Sequence, residues 1–439
     1  MAKSQGSNFT ATRSPRLAAG LLLAAACLAT PGVARSDDPP GSEPWPSVRA
    51  TEALDPVLRS GEGYRVREEG RTDAFLTTWE LETDYGLFVC PSRRLLEIRV
   101  REVAAMRALL KSGGDEAQFL SGLQTRVADV PTAMVKLVEN PLGTVEGAAE
   151  GAKRTLGRVG DMFGKRKETK YEAGGVESAL FAQEKRKVAA ELRVDVYSTN
   201  TKLQTILDEV AKARRAGGFG VDLAKMAIPG FAGTAVSGLS TTSDMTSVLR
   251  DRTPAEIDRI AGEALGKAGV MPQLTRQFLA NPWLSPRHRA TISDAVGRLA
   301  RVGNPGALVA AAVESRTEAQ ALLHEEQALF LASRLTVPDP VVRLDVTGGI
   351  VVAFTASGAM LVPVPVDVVA LAENVDAVLD ALLAMDGADA APSRVIEATG
   401  RATPRAVERL KARGFVFVPD GRWTWSGATP AAPGGATGR

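Results

Sequence analysis

The feature that most constrains this chain is a central stretch, residues 113–336, whose patterning is helical almost throughout. Within it, Asn200 opens an apolar-periodic run, Thr253 begins a capping box, and Ser285 precedes a Pro at a first helical position. The Ala-rich run from about 306 to 335 predicts one long helix. Because no fixed period recurs, we expect packed helices rather than a solenoid.

Two segments that border this stretch have strand-like patterning. Residues 61–112 contain three short β-rich runs separated by turn residues, followed by a helix that Ser92 caps. Residues 337–426 predict a three-stranded meander, a helix near 367–385, and then a strand, helix and strand in a βαβ arrangement. The whole pattern predicts an α+β, mostly helical fold, in which a helical middle region is flanked by two small α/β units.

The first 34 residues have the layout of a bacterial signal peptide. A basic leader without acidic residues precedes an uncharged apolar run from Leu17 to Ala29, and small residues lead to a cleavage site after Ala34. Cys27 provides an alternative, because small residues also precede it, as in lipoprotein signals. We therefore expect a periplasmic or secreted protein, with lipid anchoring at Cys27 as the second reading.

Composition separates further segments from the folded body. Residues 35–60 are rich in Pro, Ser and acidic residues, which predicts a linker, and residues 427–439 have the composition of a disordered tail. The uncharged stretches 226–243 and 348–366 contain Gly, Pro and turn residues. We expect neither of them to span a membrane.

Charge and cysteine content exclude several classes of protein. The chain has 53 Lys and Arg against 51 Asp and Glu, and the leader holds three of the basic residues and no acidic one. A balanced mature chain lacks the basic field of nucleic-acid binders, so we expect no nucleic-acid partner. Cys90 is the one cysteine left after the leader, which excludes an internal disulfide, and its strand-like context predicts a buried thiol.

No constellation for metal, nucleotide or nucleophilic chemistry is present in the sequence. His288 and His324 stand far apart, and neither has a second His at the spacing of a zinc helix. Neither Gly164-Lys165 nor Gly266-Lys267 has the first glycine of a phosphate loop. We read residues 195–200 as a turn that ends in a helix cap rather than a calcium loop. We therefore predict no catalytic, metal or cofactor residues and no nucleotide partner.

One segment, residues 143–170, combines glycines at a spacing of four with a basic cluster. Gly143, Gly147 and Gly151 would line one helix face that another helix can approach closely, and the basic cluster follows at Lys165, Arg166 and Lys167. The segment would contact an anionic membrane surface or a partner helix. The alternative is a mobile, glycine-rich linker with solvated charges.

Three stretches carry a resemblance to other sequences. They are Lys185 to Gln204, Asn281 to Pro286 and Gly400 to Ala406. Together they resemble a pattern in an uncharacterised family of exported bacterial proteins with no assigned activity. The resemblance implies a location in the cell envelope and implies nothing catalytic.

The sequence thus favours an exported envelope protein that is a non-catalytic binding or scaffolding protein, with another envelope protein or an anionic membrane surface as partner. Two alternatives stay open. One is a membrane-associating helical protein, and the other is a metal-independent enzyme that uses carboxylate and Arg groups. A cleft with paired buried carboxylates would favour the enzyme.

We expect the mature chain to begin at Arg35, because signal peptidase would cut after Ala34. N-terminal sequencing of the protein recovered from the envelope fraction measures this directly. A blocked terminus on a lipidated Cys27 would select the anchored alternative. A chain that still begins near Met1 would contradict export.

Overall fold

The computed structural model describes residues 47–73, 75–111, 117–129, 176–217, 219, 223, 243–371 and 375–419. Its fold is α+β with 52% helical residues and several small sheets, which confirms the predicted class. Among the described residues, no helix combines the length and the apolarity that crossing a membrane requires.

An antiparallel sheet forms the N-terminal unit. Its elements are β1 (Ser47–Arg49), α1 (Ala50–Ala53), α2 (Pro56–Arg59), β2 (Ser60–Gly61), β3 (Tyr64–Val66), β4 (Glu69–Thr72), β5 (Thr77–Thr83), β6 (Gly86–Cys90) and the long helix α3 (Arg93–Lys111). Strands β3 and β4 pair with one edge of β5 and β6 pairs with the other. Followed from one hydrogen-bonded neighbour to the next, the strands run β1-β4-β5-β3-β2, because β4 and β3 pair with successive parts of β5, and β6 also pairs with β5.

Alternation along β5 separates a buried face from a charged one. Thr77, Trp79 and Leu81 are buried, whereas Glu80 and Glu82 lie on the other face and pair with three arginines, Arg65, Arg67 and Arg71. Helix α3 covers the buried face with the residues that its helical spacing predicts, including Leu96, Val100 and Val103. Cys90 is buried, as expected, and burial raises the pKa of its thiol to about 12.

The N-terminal linker prediction differs from the structure over residues 47–59. These residues form β1, α1 and α2, and Ala50, Leu54 and Leu58 pack into the core. Pro56 stands at the start of α2, where a missing N–H costs nothing, rather than marking an extended linker. Residues 35–46 lie outside the described part of the chain.

The helical middle divides between two cores. Its described helices are α4 (Ala117–Asp129), α5 (Val176–Glu191), α6 (Thr201–Arg215), α7 (Ser243–Asp251), α8 (Pro254–Lys267), α9 (Pro272–Ala280), α10 (Pro286–Arg298), α11 (Gly306–Val313) and α12 (Glu318–Ser333). Side chains of α4, α5 and α6 pack into the core of the N-terminal sheet. Those of α8 to α12 pack against the C-terminal strands.

The predicted caps of the middle region are confirmed, but the single long helix at 306–335 is wrong. Asn200, Thr253 and Ser285 cap α6, α8 and α10 through side-chain acceptors. Between α11 and α12 the helix stops because Asn281 Nδ2 donates to carbonyls of the 313–315 turn, and Thr317 Oγ1 caps the new helix. The side-chain amide of Asn281, which is distant in sequence, thus satisfies carbonyls at the end of α11, and sequence periodicity does not reveal such a contact.

The C-terminal unit is a five-stranded mixed sheet with a small two-stranded ladder beside it. Its elements are β7 (Val341–Thr347), β8 (Ile350–Thr355), β9 (Met360–Val364), β10 (Val368–Val369), α13 (Val375–Leu383), β11 (Arg394–Ala398), β12 (Arg401–Ala402), α14 (Pro404–Ala412) and β13 (Val416–Val418). The order is β13-β11-β9-β8-β7, with an antiparallel meander followed by parallel strands. Helix α14 crosses between the parallel pair β11 and β13, as the predicted βαβ unit requires.

The structure shortens the helix that was predicted near 367–385. Val368 and Val369 form β10 and pair in parallel with β12, and the helix begins at Val375. Every residue of β8 is buried, because the middle helices cover one face of this sheet and α13 and α14 cover the other.

A buried ion-pair network joins α10 to α12. Arg287 Nη2 donates to Glu325 Oε1 at 2.5 Å, and His288 Nδ1 lies 2.6 Å from Glu325 Oε2. Burial alone would raise the pKa of the Glu325 carboxyl, but Arg287 and His288 outweigh it and lower the pKa to about 2. Arg287 also approaches the carboxylate of Asp195, at 3.7 Å. Each buried charge in this cluster therefore has a partner of the opposite sign.

We expect Glu325→Ala to destabilise the protein by about 3–5 kcal/mol, because it leaves Arg287 buried without its principal counter-charge. The matched control is Glu263→Ala, which removes one partner of an exposed pair with Arg259 and is expected to change little. Urea unfolding at neutral pH measures both. Equal effects of the two substitutions would contradict a stabilising role of the buried network.

Candidate functional site

A cleft of about 620 Å³ opens where the two sheet units meet. One wall comes from β5 and the first turns of α3, and another from α12. The remaining sides are residues 47–55 and two C-terminal stretches, 365–368 and 399–403. The cleft thus combines side chains that are hundreds of positions apart in sequence.

The first turn of helix α3 lies at this cleft. Ser92 Oγ accepts from Leu95 N at 3.1 Å, which confirms the predicted cap and sets the start of the helix. Arg93, Arg94 and Glu97 follow immediately and line the cleft. The capped first turn of α3 therefore places three charged side chains at the cleft.

Asp367 links the C-terminal unit to the N-terminal one at the cleft. Its Oδ2 accepts from Thr77 N at 2.7 Å and from Arg93 N at 3.0 Å. Burial raises the pKa of Asp367 to about 6, while the two N–H donors and then the Arg93 charge oppose the rise. Its other oxygen, Oδ1, makes no hydrogen bond to the described residues.

Glu97 has both oxygens occupied by arginine. Arg93 Nε donates to Oε1 at 3.2 Å, and Arg94 Nη1 donates to Oε2 at 3.1 Å. The side chain of Arg94 is 8% exposed and that of Glu97 9%, so this pairing is buried beneath the cleft. Two guanidinium groups are thus engaged by one carboxylate.

Glu326 has much weaker pairing than Glu97. Its Oε1 lies 3.3 Å from Arg94 Nε, and neither oxygen makes a hydrogen bond to the described part of the chain. Burial raises the pKa of Glu326 to about 8; Arg94 opposes this rise, and Glu97, Glu325 and Asp367 add to it. At neutral pH the protonated form is therefore favoured. The side chain keeps 18% of its area exposed.

The lining around these carboxyls is polar and apolar in about equal measure, and two of its polar atoms have no partner among the described residues. Leu54, Leu76 and Leu323 contribute hydrocarbon surface. Thr77 and Trp79 are almost fully buried, and Thr77 Oγ1 and Trp79 Nε1 make no hydrogen bond to the described residues. Buried polar atoms of this kind are few in native proteins, and a bound water or ligand is the usual reason for them.

The histidines do not line this cleft. His324 is buried, and burial lowers its pKa to about 4, while its Nδ1 lies 3.1 Å from Gln327 Oε1. His288 belongs to the Glu325 network. The Asp195 stretch is a turn, with Asp195 Oδ1 accepting from Tyr197 N and Asn200 capping α6, as predicted. Within the described ranges, no group of three or more His, Cys, Asp or Glu side chains could hold a metal ion.

All the contact residues that the sequence singled out lie outside the described residues. These are Gly143, Gly147, Gly151, Lys165, Arg166, Lys167 and the alternative lipidation site Cys27. The membrane or partner role of segment 143–170 therefore stays a prediction.

The cleft carboxyls were missed by sequence reasoning, although two weak signals were present. Glu326 belongs to a block of four polar residues, 324–327, in an otherwise Ala- and Leu-rich helix. Such a block covers a full helical turn and must direct at least one polar group inward. Asp367 is the first charged residue after the uncharged stretch 348–366.

Comparison with models of protein families, with curated proteins and with solved structures found no match for this chain. Functional inference therefore rests on the residues of the cleft and their geometry.

We expect Glu326→Gln to stabilise the protein, and to do so more strongly as the pH rises. In the folded state Glu326 keeps its proton up to about pH 8, whereas in the unfolded chain it loses the proton near the ordinary value of 4.5. Because the folded state holds this proton more tightly, the parent protein has its full stability below about pH 4.5. It loses free energy of unfolding as the pH rises from 4.5 to about 8. Gln imitates the protonated form and does not titrate.

The gain from Glu326→Gln should be small at pH 5 and about 1–3 kcal/mol at pH 8. Urea unfolding at the two pH values measures it, with the exposed Glu263→Gln as control. A variant that is less stable than the parent at pH 8 would show that Glu326 is charged and satisfied in the folded protein.

Proposed function

We propose that this protein is a binding protein of the bacterial cell envelope and that its ligand occupies the cleft between the two sheet units. One observation carries the proposal. The cleft holds a carboxyl, Glu326, whose hydrogen-bonding capacity the described chain leaves unused, beside the unpartnered Thr77 Oγ1 and Trp79 Nε1.

The size and lining of the cleft support this function. Small-molecule sites typically enclose about 300–1,000 Å³ and combine apolar walls with a few convergent polar groups. The cleft has a volume of about 620 Å³, apolar side chains on its walls and the carboxyls Glu326 and Asp367 among them. Each unsatisfied buried polar group costs about 1–3 kcal/mol, which a bound ligand would recover.

The location in the envelope rests on the N-terminal leader. Its basic start, its apolar run and the small residues before Ala34 are typical of exported proteins. Processing after Ala34 would release the protein, and acylation of Cys27 would anchor it. In both cases the cleft would face solutes and polymers outside the inner membrane.

A metal-independent hydrolase is a second candidate, because the cleft contains carboxyls with separated pKa values. Glu326, with a pKa of about 8, could donate a proton to a leaving oxygen as the bond to that oxygen breaks. Asp367, with a pKa of about 6, could take a proton from the attacking water, whose hydroxyl then bonds to the substrate. Carboxylate pairs of this kind hydrolyse envelope polymers in other folds.

We expect a ligand to be recovered with the protein and to be excluded when the cleft is filled. Leu323 lines the cleft, so Leu323→Trp places a larger side chain there. The matched control is Leu180→Trp on α5, where Leu180 is 51% exposed. Each protein is purified natively from the envelope fraction, and the molecules released by heat are analysed by mass spectrometry.

The parent and Leu180→Trp should release the same molecule, and Leu323→Trp should release at least about tenfold less. Matching unfolding midpoints show that the variants are folded. Equal recovery from all three proteins would refute binding in the cleft. Recovery of cleaved fragments whose formation ends with Glu326→Gln would select the hydrolase.

A further inference from the structure

We propose that the ligand carries a cationic nitrogen, an ammonium or guanidinium group, which the open carboxyl oxygens of Glu326 and Asp367 hold in the cleft. This inference rests on the proposed function, because it names the chemical class of the ligand for the same site. It concerns one charged group of that ligand, and the remainder of the ligand would contact the mixed polar and apolar lining of the cleft.

The charges that line the cleft favour a ligand with a cationic group. Five carboxyl side chains line the cleft against three guanidinium groups: Glu52, Asp55, Glu97, Glu326 and Asp367 against Arg93, Arg94 and Arg401. Arg93 and Arg94 both donate to Glu97, Arg93 also donates to Asp55, and Arg94 Nε approaches Glu326. Asp367 receives backbone N–H groups rather than a cation. The fully ionised lining therefore carries an excess of negative charge, which a bound cation would reduce.

The groups around Glu326 agree with a cation as its missing partner. From α3 it faces Arg94 and Glu97, from the segment before β10 it faces Asp367, and on its own helix it adjoins Glu325. Three of these four neighbours are acidic and disfavour the Glu326 anion. In the empty cleft a proton takes the place of the counter-ion, in keeping with the raised pKa of Glu326. An incoming cation would displace that proton.

An organic cation fits this cleft better than a metal ion. The described carboxyls do not converge into a group of three that could ligate one. Leu76 and Leu323 line the cleft and offer hydrocarbon surface to the rest of a ligand. The unpartnered Thr77 Oγ1 is a further acceptor in the same wall, and it is an observation independent of the carboxyls.

Binding is then coupled to proton release. The protonated Glu326 gives its proton to the buffer, and the resulting carboxylate pairs with the ligand nitrogen, so charge is conserved. At pH 7 close to one proton should leave for each cation bound. Affinity should rise about tenfold per pH unit up to about pH 8, where Glu326 ionises without the ligand.

Isothermal titration calorimetry on the mature protein tests this. Cadaverine, agmatine and lysine methyl ester are the cationic probes, 1-pentanol is the neutral control, and calcium chloride is the metal control. Titrations at pH 7 in phosphate and in Tris, whose ionisation enthalpies differ, give the number of protons released. The variants are Glu326→Gln and Asp367→Asn, with Glu263→Gln as the matched exposed control.

We expect at least one cationic probe to bind with release of about one proton. Glu326→Gln should abolish the release and weaken binding at least about tenfold, whereas Glu263→Gln should change neither. Asp367→Asn, which keeps an acceptor for Thr77 N and Arg93 N, should weaken binding and reduce the proton release, because the Asp367 charge contributes to the raised pKa of Glu326. The inference is overturned if no cationic probe binds, if binding releases no proton, if Glu326→Gln binds equally well, or if calcium alone binds.

Failure of this inference is distinguishable from failure of the proposed function. A neutral or anionic ligand that is recovered with the parent and excluded by Leu323→Trp would contradict the cationic class of the ligand but would support binding in the cleft. If cationic probes bind the parent and Leu323→Trp equally, their site lies outside the cleft, and both proposals fall.

Discussion

One carboxylate ties the two sheet units together at the cleft. Asp367 leaves the C-terminal unit and accepts both from the backbone of β5 and from the first N–H of α3. That position places a negative group at the N-terminus of a long helix, where the exposed N–H groups and the helix dipole favour it. Because the same contact fixes the start of α3 against the C-terminal unit, it also defines the cleft in which Arg93, Arg94 and Glu97 are displayed.

Neighbouring residues on α12 show how pairing decides the state of a buried acid. Glu325 contacts Arg287 and His288, and its pKa is lowered to about 2 despite burial. Glu326, the next residue, has one long contact to a guanidinium that Glu97 already engages, and its pKa is raised to about 8. The first acid stabilises the junction of two helices, whereas the second is left with unused capacity at the edge of a cavity. Two adjacent residues of one helix thus have opposite pKa shifts because their partners differ.

Local signals predicted most elements of the fold. The caps at Asn200, Thr253 and Ser285, the meander and the βαβ crossover all depend on residues close together in sequence, and the structure confirms them. Predictions failed where a distant group intervened. Asn281 ends the helix near residue 313, and β12 draws residues 368–369 into a strand. Residues 47–59 fold because their apolar side chains find a core, although their composition is that of a linker.

By itself, the sequence determined the α+β class, the positions of most helices and strands, and the burial of the Cys90 thiol, because backbone propensity, capping and hydrophobic patterning are local properties. Only the tertiary structure decided the division of the middle helices between two cores and the existence of the cleft. The reason is electrostatic and geometric. The pKa of a carboxyl depends on its burial and on charges from other elements, and Glu97, Glu326 and Asp367 acquire their environment only when α3, α12 and the segment after β9 meet.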